Sequence, residues 1–188
     1  MATGKKPTAA FVLLLTGGII ALLTALFIVW VGNTLNNEVS TYNASAYNAS
    51  LTLTDVAVLR FSPNFMVGGI LGLIFATLMI VSSVKLFSIN AASVKKWSKV
   101  GMISTILGGM ALVLSGVGAY STVITLSNYG VGGAGLGVSW VGIFSAVIGI
   151  ILGLVGSMLG LAYSEGRDAE CNAKKYGSAA LGNVIPVK

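Results

Sequence analysis

The chain has 188 residues, 55% hydrophobic and 9% charged, with a formal net charge of +6, 25 glycines, one cysteine and no histidine. Soluble domains carry roughly a quarter charged residues, so this balance excludes an ordinary water-soluble domain. The missing histidine excludes His-ligated haem, His-rich zinc or copper sites and a Ser-His-Asp triad.

No Asp, Glu, Lys or Arg occurs in residues 7–37, 61–84 or 100–164. About 20 apolar residues cross the ~30 Å of bilayer hydrocarbon, so these stretches are membrane spans. The expected fold is a single all-α membrane domain, a four-transmembrane-helix bundle. The first span is read at about 9–31. Its apolar core exceeds the 7–15 residues of a signal-peptide core and no small-x-small cleavage site follows closely, so retention as a true span is expected.

Residues 32–62 form the expected exterior loop. It repeats Tyr-Asn-Ala-Ser at 42–45 and 47–50, and each copy is an Asn-x-Ser sequon, making Asn43 and Asn48 candidate glycosylation sites. Residues 51–60 are rich in Thr and Val and partly alternate apolar with polar, which suits a short strand or extended segment.

Ser62-Pro63 is a helix-start signal and Lys85 closes the following apolar run, placing the second span at about 65–84. The uncharged run after Lys99 is far too long for one crossing and must fold back. Turn-formers at 127–135 break it into spans at about 100–126 and 136–163. The glycines of this turn resemble a phosphate loop only superficially, since no preceding strand or assisting lysine is present. A cytoplasmic tail, 164–188, follows. In it the last helix is expected to continue a few turns and to fray after Tyr176-Gly177, and Cys171 is expected to be an inert thiol.

Ten of the eleven basic residues fall before the first span, between the second and third, or after the fourth, with Arg60 the exception. The positive-inside rule then makes both termini cytoplasmic, and Trp30, Trp97, Trp140 and Tyr163 fit the aromatic belts at the two interfaces. The +6 charge is a topology signal and an attraction to anionic headgroups rather than a nucleic-acid footprint, and no nucleic-acid partner is expected.

In the fourth span Gly142, Gly149, Gly153, Gly156 and Gly160 recur on one helical stripe. Weaker stripes are Gly17/Ala21/Ala25, Gly69/Gly72/Ala76 and Gly101/Gly108/Ser115. Apolar burial between helices gains little in lipid, so small residues that admit close backbone approach supply much of the packing. Such seams either knit one bundle together or, in the fourth span, face another subunit. In the second case leucine at Gly153 and Gly156 dissociates a complex while the monomer stays inserted. The spans hold no ionisable group, only hydroxyls able to bond the carbonyl one turn back, and the scattered methionines read as core packing. No catalytic, cofactor or metal residue is expected.

The run Lys6-Pro7-Thr8-Ala9-Ala10-Phe11-Val12-Leu13, the pair Gly17-Gly18 and the glycine-rich third and fourth helices resemble small uncharacterised four-helix integral membrane proteins of archaea. The outer-loop cysteines and the Trp-Gly-Leu-Trp signature of the similarly arranged claudins and tetraspanins are absent. The leading expectation is a non-catalytic accessory subunit in the cell membrane, contacting the lipid bilayer and either other integral membrane subunits or copies of itself. A respiratory or other energy-converting assembly is the expected host. A virion or vesicle envelope protein forming homopolymeric arrays and a hydroxyl-lined channel or transporter are the alternatives.

Overall fold

The computed structural model describes residues 7–45, 64–87, 90–128 and 135–181. Four helices make up these residues: α1 (Thr8–Ser45), α2 (Asn64–Leu86), α3 (Ala91–Asn128) and α4 (Gly135–Leu181). Each contains a stretch long and apolar enough to cross a membrane, at Thr8–Thr34, Met66–Leu86, Ala91–Ile124 and Trp140–Cys171. Asn48 and the expected extended segment 51–60 lie outside the described residues.

Three helices run past the boundaries set by hydropathy. The α1 helix starts directly after Pro7, whose carbonyl accepts the Phe11 N–H at 3.0 Å, and it passes through Gly32 and Asn33 to end at Ser45. One interior glycine costs a helix about 1 kcal/mol, too little to end it where flanking turns persist. Residues 32–45, expected as loop, are therefore helical, and Asn43 stands in the last turn of α1 rather than in a loop.

The α3 helix begins nine residues before the expected span. Asn90 caps it, its side-chain oxygen accepting the Ala92 N–H at 3.0 Å and its carbonyl accepting Val94 N–H at 3.0 Å. Lys95, Lys96 and Lys99 lie within the helix, while Val94 just before them and Ser98 among them are fully buried. The α4 helix likewise continues through Gly177 to Leu181 instead of fraying there.

Each helix packs against its two sequence neighbours, with α4 returning to α1, and α1 also reaches α3 across the ring. Adjacent helices run antiparallel: Gly18 lies against Ile80, Gly108 against Phe75, Gly116 against Ile143 and Gly17 against Gly153. Much of the core is small, with Ala10, Ala21, Ala25, Ala76 and Ala146 beside Leu14, Ile28, Met79 and Leu112. Large apolar side chains such as Leu23, Leu114, Val141 and Phe144 point outward instead. A bundle with small residues inside and large ones outside is arranged for lipid, whose tails solvate the outer face as well as the core would.

Candidate functional site in the helix seams

The five fourth-span glycines are the residues from which a functional surface was expected. All five are buried, and the neighbours that fill the space beside them belong to the same chain. A methyl group at Gly156 would lie 2.6 Å from the Leu14 backbone nitrogen and 3.0 Å from the Ala10 carbonyl oxygen. One at Gly17 would lie 2.8 Å from the Gly153 nitrogen and 2.9 Å from the Gly149 carbonyl oxygen. The α1 and α4 backbones therefore approach with no side chain between them along Ala10, Leu14, Gly17, Gly149, Gly153 and Gly156.

The stripe also turns toward the bundle axis. A methyl at Gly153 would lie 2.6 Å from both Met79 Cε and Thr105 Oγ1, so this position faces α2 and α3. Gly160 faces Ser98 and Leu86. Gly142 is the loosest of the five, its nearest neighbours being Phe27 ring carbons at 3.7 Å. Leucine at Gly153 or Gly156 would meet the chain's own atoms before any second subunit.

The weaker stripes are engaged in the same way. Gly69 faces Val29 and Ile28 of α1, and Gly72 sits between Leu112 and Ala25. Gly101 faces Leu14 and Ser157, and Ser115 fills the space beside Gly68.

The hydroxyls of the spans include two groups, the first bonded and, except for the exposed Thr77, inside the bundle. Thr77, Ser83, Thr105, Ser115 and Ser164 donate to carbonyls three or four residues back, at 2.7–2.8 Å. Thr24 lies 2.8 Å from the Ile20 carbonyl and 2.9 Å from Ser145 Oγ, and Ser145 in turn donates to the Gly142 carbonyl at 3.0 Å. The Thr24–Ser145 contact ties α1 to α4 through side chains.

The other group is Ser82, Ser98 and Ser157, fully buried with no hydrogen-bond partner to Oγ. They lie toward the end of the bundle where α1 and α3 begin and α2 and α4 end. Ser157 neighbours Gly101, Ser98 neighbours Gly160, and Ser82 is one turn from Leu86, which packs on Gly160. Ser98 precedes the third span that hydropathy sets at about 100–126, so charge spacing alone does not mark it as a core position. The spacing Val94, Ser98, Gly101, Thr105 does mark it, since it continues the α3 seam at helical period.

Two aromatic groups mark the opposite end. Trp140 stacks on Phe144 at 5.8 Å and meets Tyr120 at 5.0 Å, and Phe27 lies 6.2 Å from Trp30. At the lysine-rich end Tyr163 Oη lies 3.2 Å from Arg167 Nη1, and Lys95 Nζ lies 4.0 Å from Asp168. Among the described residues no three of His, Cys, Asp and Glu converge on a point that could hold a metal. Cys171 is exposed and free. No protein family, curated protein or solved structure matches the chain.

Proposed function

We propose that the chain is a structural subunit of a membrane assembly, a four-helix module without chemistry of its own, held with both ends and the α2–α3 turn on the cytoplasmic side. The observation that carries this reading is the packing at mid-bundle. The cavity where all four helices meet, lined by Ala21, Gly72, Ala76, Met79, Thr105, Gly149 and their neighbours, has a volume of about 10 Å³. That is roughly the space a single water needs, and a permeation path would require a continuous polar file. The close-packed interior supports a scaffold over a hydroxyl-lined channel.

Orientation is supported by seven basic residues of the described chain, from Lys85 to Lys175, at the end of the bundle opposite Trp30 and Trp140. Since the glycine seams are filled by the chain's own helices, contact with a respiratory or other energy-converting host falls to the outward apolar faces of the bundle. The archaeal resemblance and glycans on Asn43 and Asn48 belong to the same proposal.

A tagged copy extracted in mild detergent, run on blue-native electrophoresis and analysed by mass spectrometry, tests it. Defined stoichiometric partners are expected. Large assemblies of this chain alone would favour an envelope protein, and solute flux through liposomes holding the purified chain would overturn the scaffold reading.

A further inference from the structure

At the lysine-rich end a groove of about 630 Å³ opens between the start of α1, the end of α2 and the start of α3, lined by Phe11, Val84, Lys85, Phe87 and Ser93. Much of that space is open to the surroundings, so it is a shallow surface groove rather than an enclosed pocket. The Phe11 and Phe87 rings, 5.2 Å apart and tilted by 58°, bring α1 and the α2–α3 turn together beside it.

The groove lies at a boundary of polarity. Val84 ends an uncharged stretch that began at Phe61, and Lys85 is the first charge after it. For a span in a bilayer this is the level of the headgroups. Among the described residues Lys85 forms no ion pair, whereas Lys95 on α3 faces Asp168. Ser93 is in the first turn of α3, behind the Asn90 cap, where the helix presents the positive end of its dipole.

We infer that this groove binds the headgroup of an anionic phospholipid. The phosphodiester sits between the Lys85 ammonium and the Ser93 hydroxyl at the head of α3, and the glycerol and upper acyl chain lie along Phe11, Val84 and Phe87. Charge complementarity selects this occupant, since the groove is lined by a cation, Lys85, and a hydroxyl donor in the first turn of α3, Ser93, together with the apolar side chains of Phe11, Val84 and Phe87. The inference rests on the bilayer placement proposed above, not on membership of a complex.

Native mass spectrometry of the delipidated full-length chain, titrated with phosphatidylglycerol and with phosphatidylcholine, tests it. Phosphatidylglycerol is expected to bind in preference. Lys85→Gln should reduce that preference about fivefold, the effect of one basic residue near an anionic headgroup. Ser93→Ala should reduce it in the same direction. Lys99→Gln, an exposed lysine on another face of α3, should leave it nearly unchanged. Equal losses in Lys85→Gln and Lys99→Gln would mean diffuse attraction and overturn the site, as would equal binding of the two lipids. Displacement of the lipid by inorganic phosphate would assign the groove to a free anion instead and likewise overturn it. Release of the chain from membranes by an alkaline wash would sink the bilayer placement itself, an outcome distinct from retention without lipid preference.

Discussion

Gly156 of α4 and Leu14 of α1 meet backbone to backbone: a methyl group on the glycine would lie 2.6 Å from the Leu14 nitrogen. Nothing flexible stands there to yield, so Gly156→Ala must push α1 away from α4. The expected cost is about 1–3 kcal/mol, typical of overpacking. Gly142→Ala, with Phe27 ring carbons at 3.7 Å, adds a methyl in ordinary contact and should stabilise the helix by up to about 1 kcal/mol. Gly166, with nothing within 4 Å, supplies a third substitution free of contacts. Unfolding of the full chain in detergent, followed by circular dichroism, compares the three. Equal stability of the Gly156 and Gly142 variants would show that α1 does not pack on α4 in this register.

The sequence made the number of crossings plain, because charge-free stretches of span length have few other uses. The end of α3 at Asn128 and the start of α4 at Gly135 also fall within the stretch 127–135 that the glycine cluster indicated as the break, residues 129–134 lying outside the described ones. The helix lengths were less legible, since a lysine marks where a chain leaves the apolar phase and not where hydrogen bonding stops. Lys95, Lys96 and Lys99 ride on the outer turns of α3 while Val94 and Ser98 continue its buried seam. Spacing found the glycine stripe of α4, which covers about 60° of the helix at 100° per residue. It could not say what lies opposite, and a stripe that wide meets all three other helices: Gly149 and Gly156 face α1, Gly153 and Gly160 face α2 and α3.

The Thr24–Ser145 hydrogen bond, 2.9 Å long, links α1 to α4 independently of the glycines. Side-chain bonds between membrane helices average about 0.6 kcal/mol in double-mutant cycles, because the separated helices also find partners. The cycle built from Thr24→Val and Ser145→Ala is therefore expected to return a coupling of about that size, and a coupling of zero would mean the two hydroxyls act only within their own helices.

Ser98 and Ser157 are buried without partners, so replacing them removes a polar group that nothing satisfies. An unmet buried hydroxyl costs about 1–3 kcal/mol, and its loss in Ser98→Ala or Ser157→Ala should leave stability unchanged or raise it. Thr105→Val serves as the comparison, since it deletes a 2.8 Å bond to the Gly101 carbonyl but keeps the volume. Melting of the three variants under one detergent condition reads the order directly. A serine variant less stable than Thr105→Val would show that its hydroxyl holds a partner after all.

Cys171 is the only cysteine and is exposed on α4 at the very end of its span-length stretch, after the charged residues Glu165, Arg167, Asp168 and Glu170, which makes it a natural reporter of sidedness. Under the proposed orientation, in which the basic residues at its end of the bundle face the cytoplasm, the thiol is expected on the cytoplasmic side. A membrane-impermeant maleimide should therefore leave intact cells unlabelled and react after permeabilisation. Moving the thiol to the segment between α1 and α2, as Asn48→Cys in a Cys171→Ser background, should reverse the pattern. Labelling of Cys171 in intact cells would invert the whole arrangement, because antiparallel packing of four helices fixes every other end once one is known. It would also put Asn43 and Asn48 inside the cell and remove them as glycan sites.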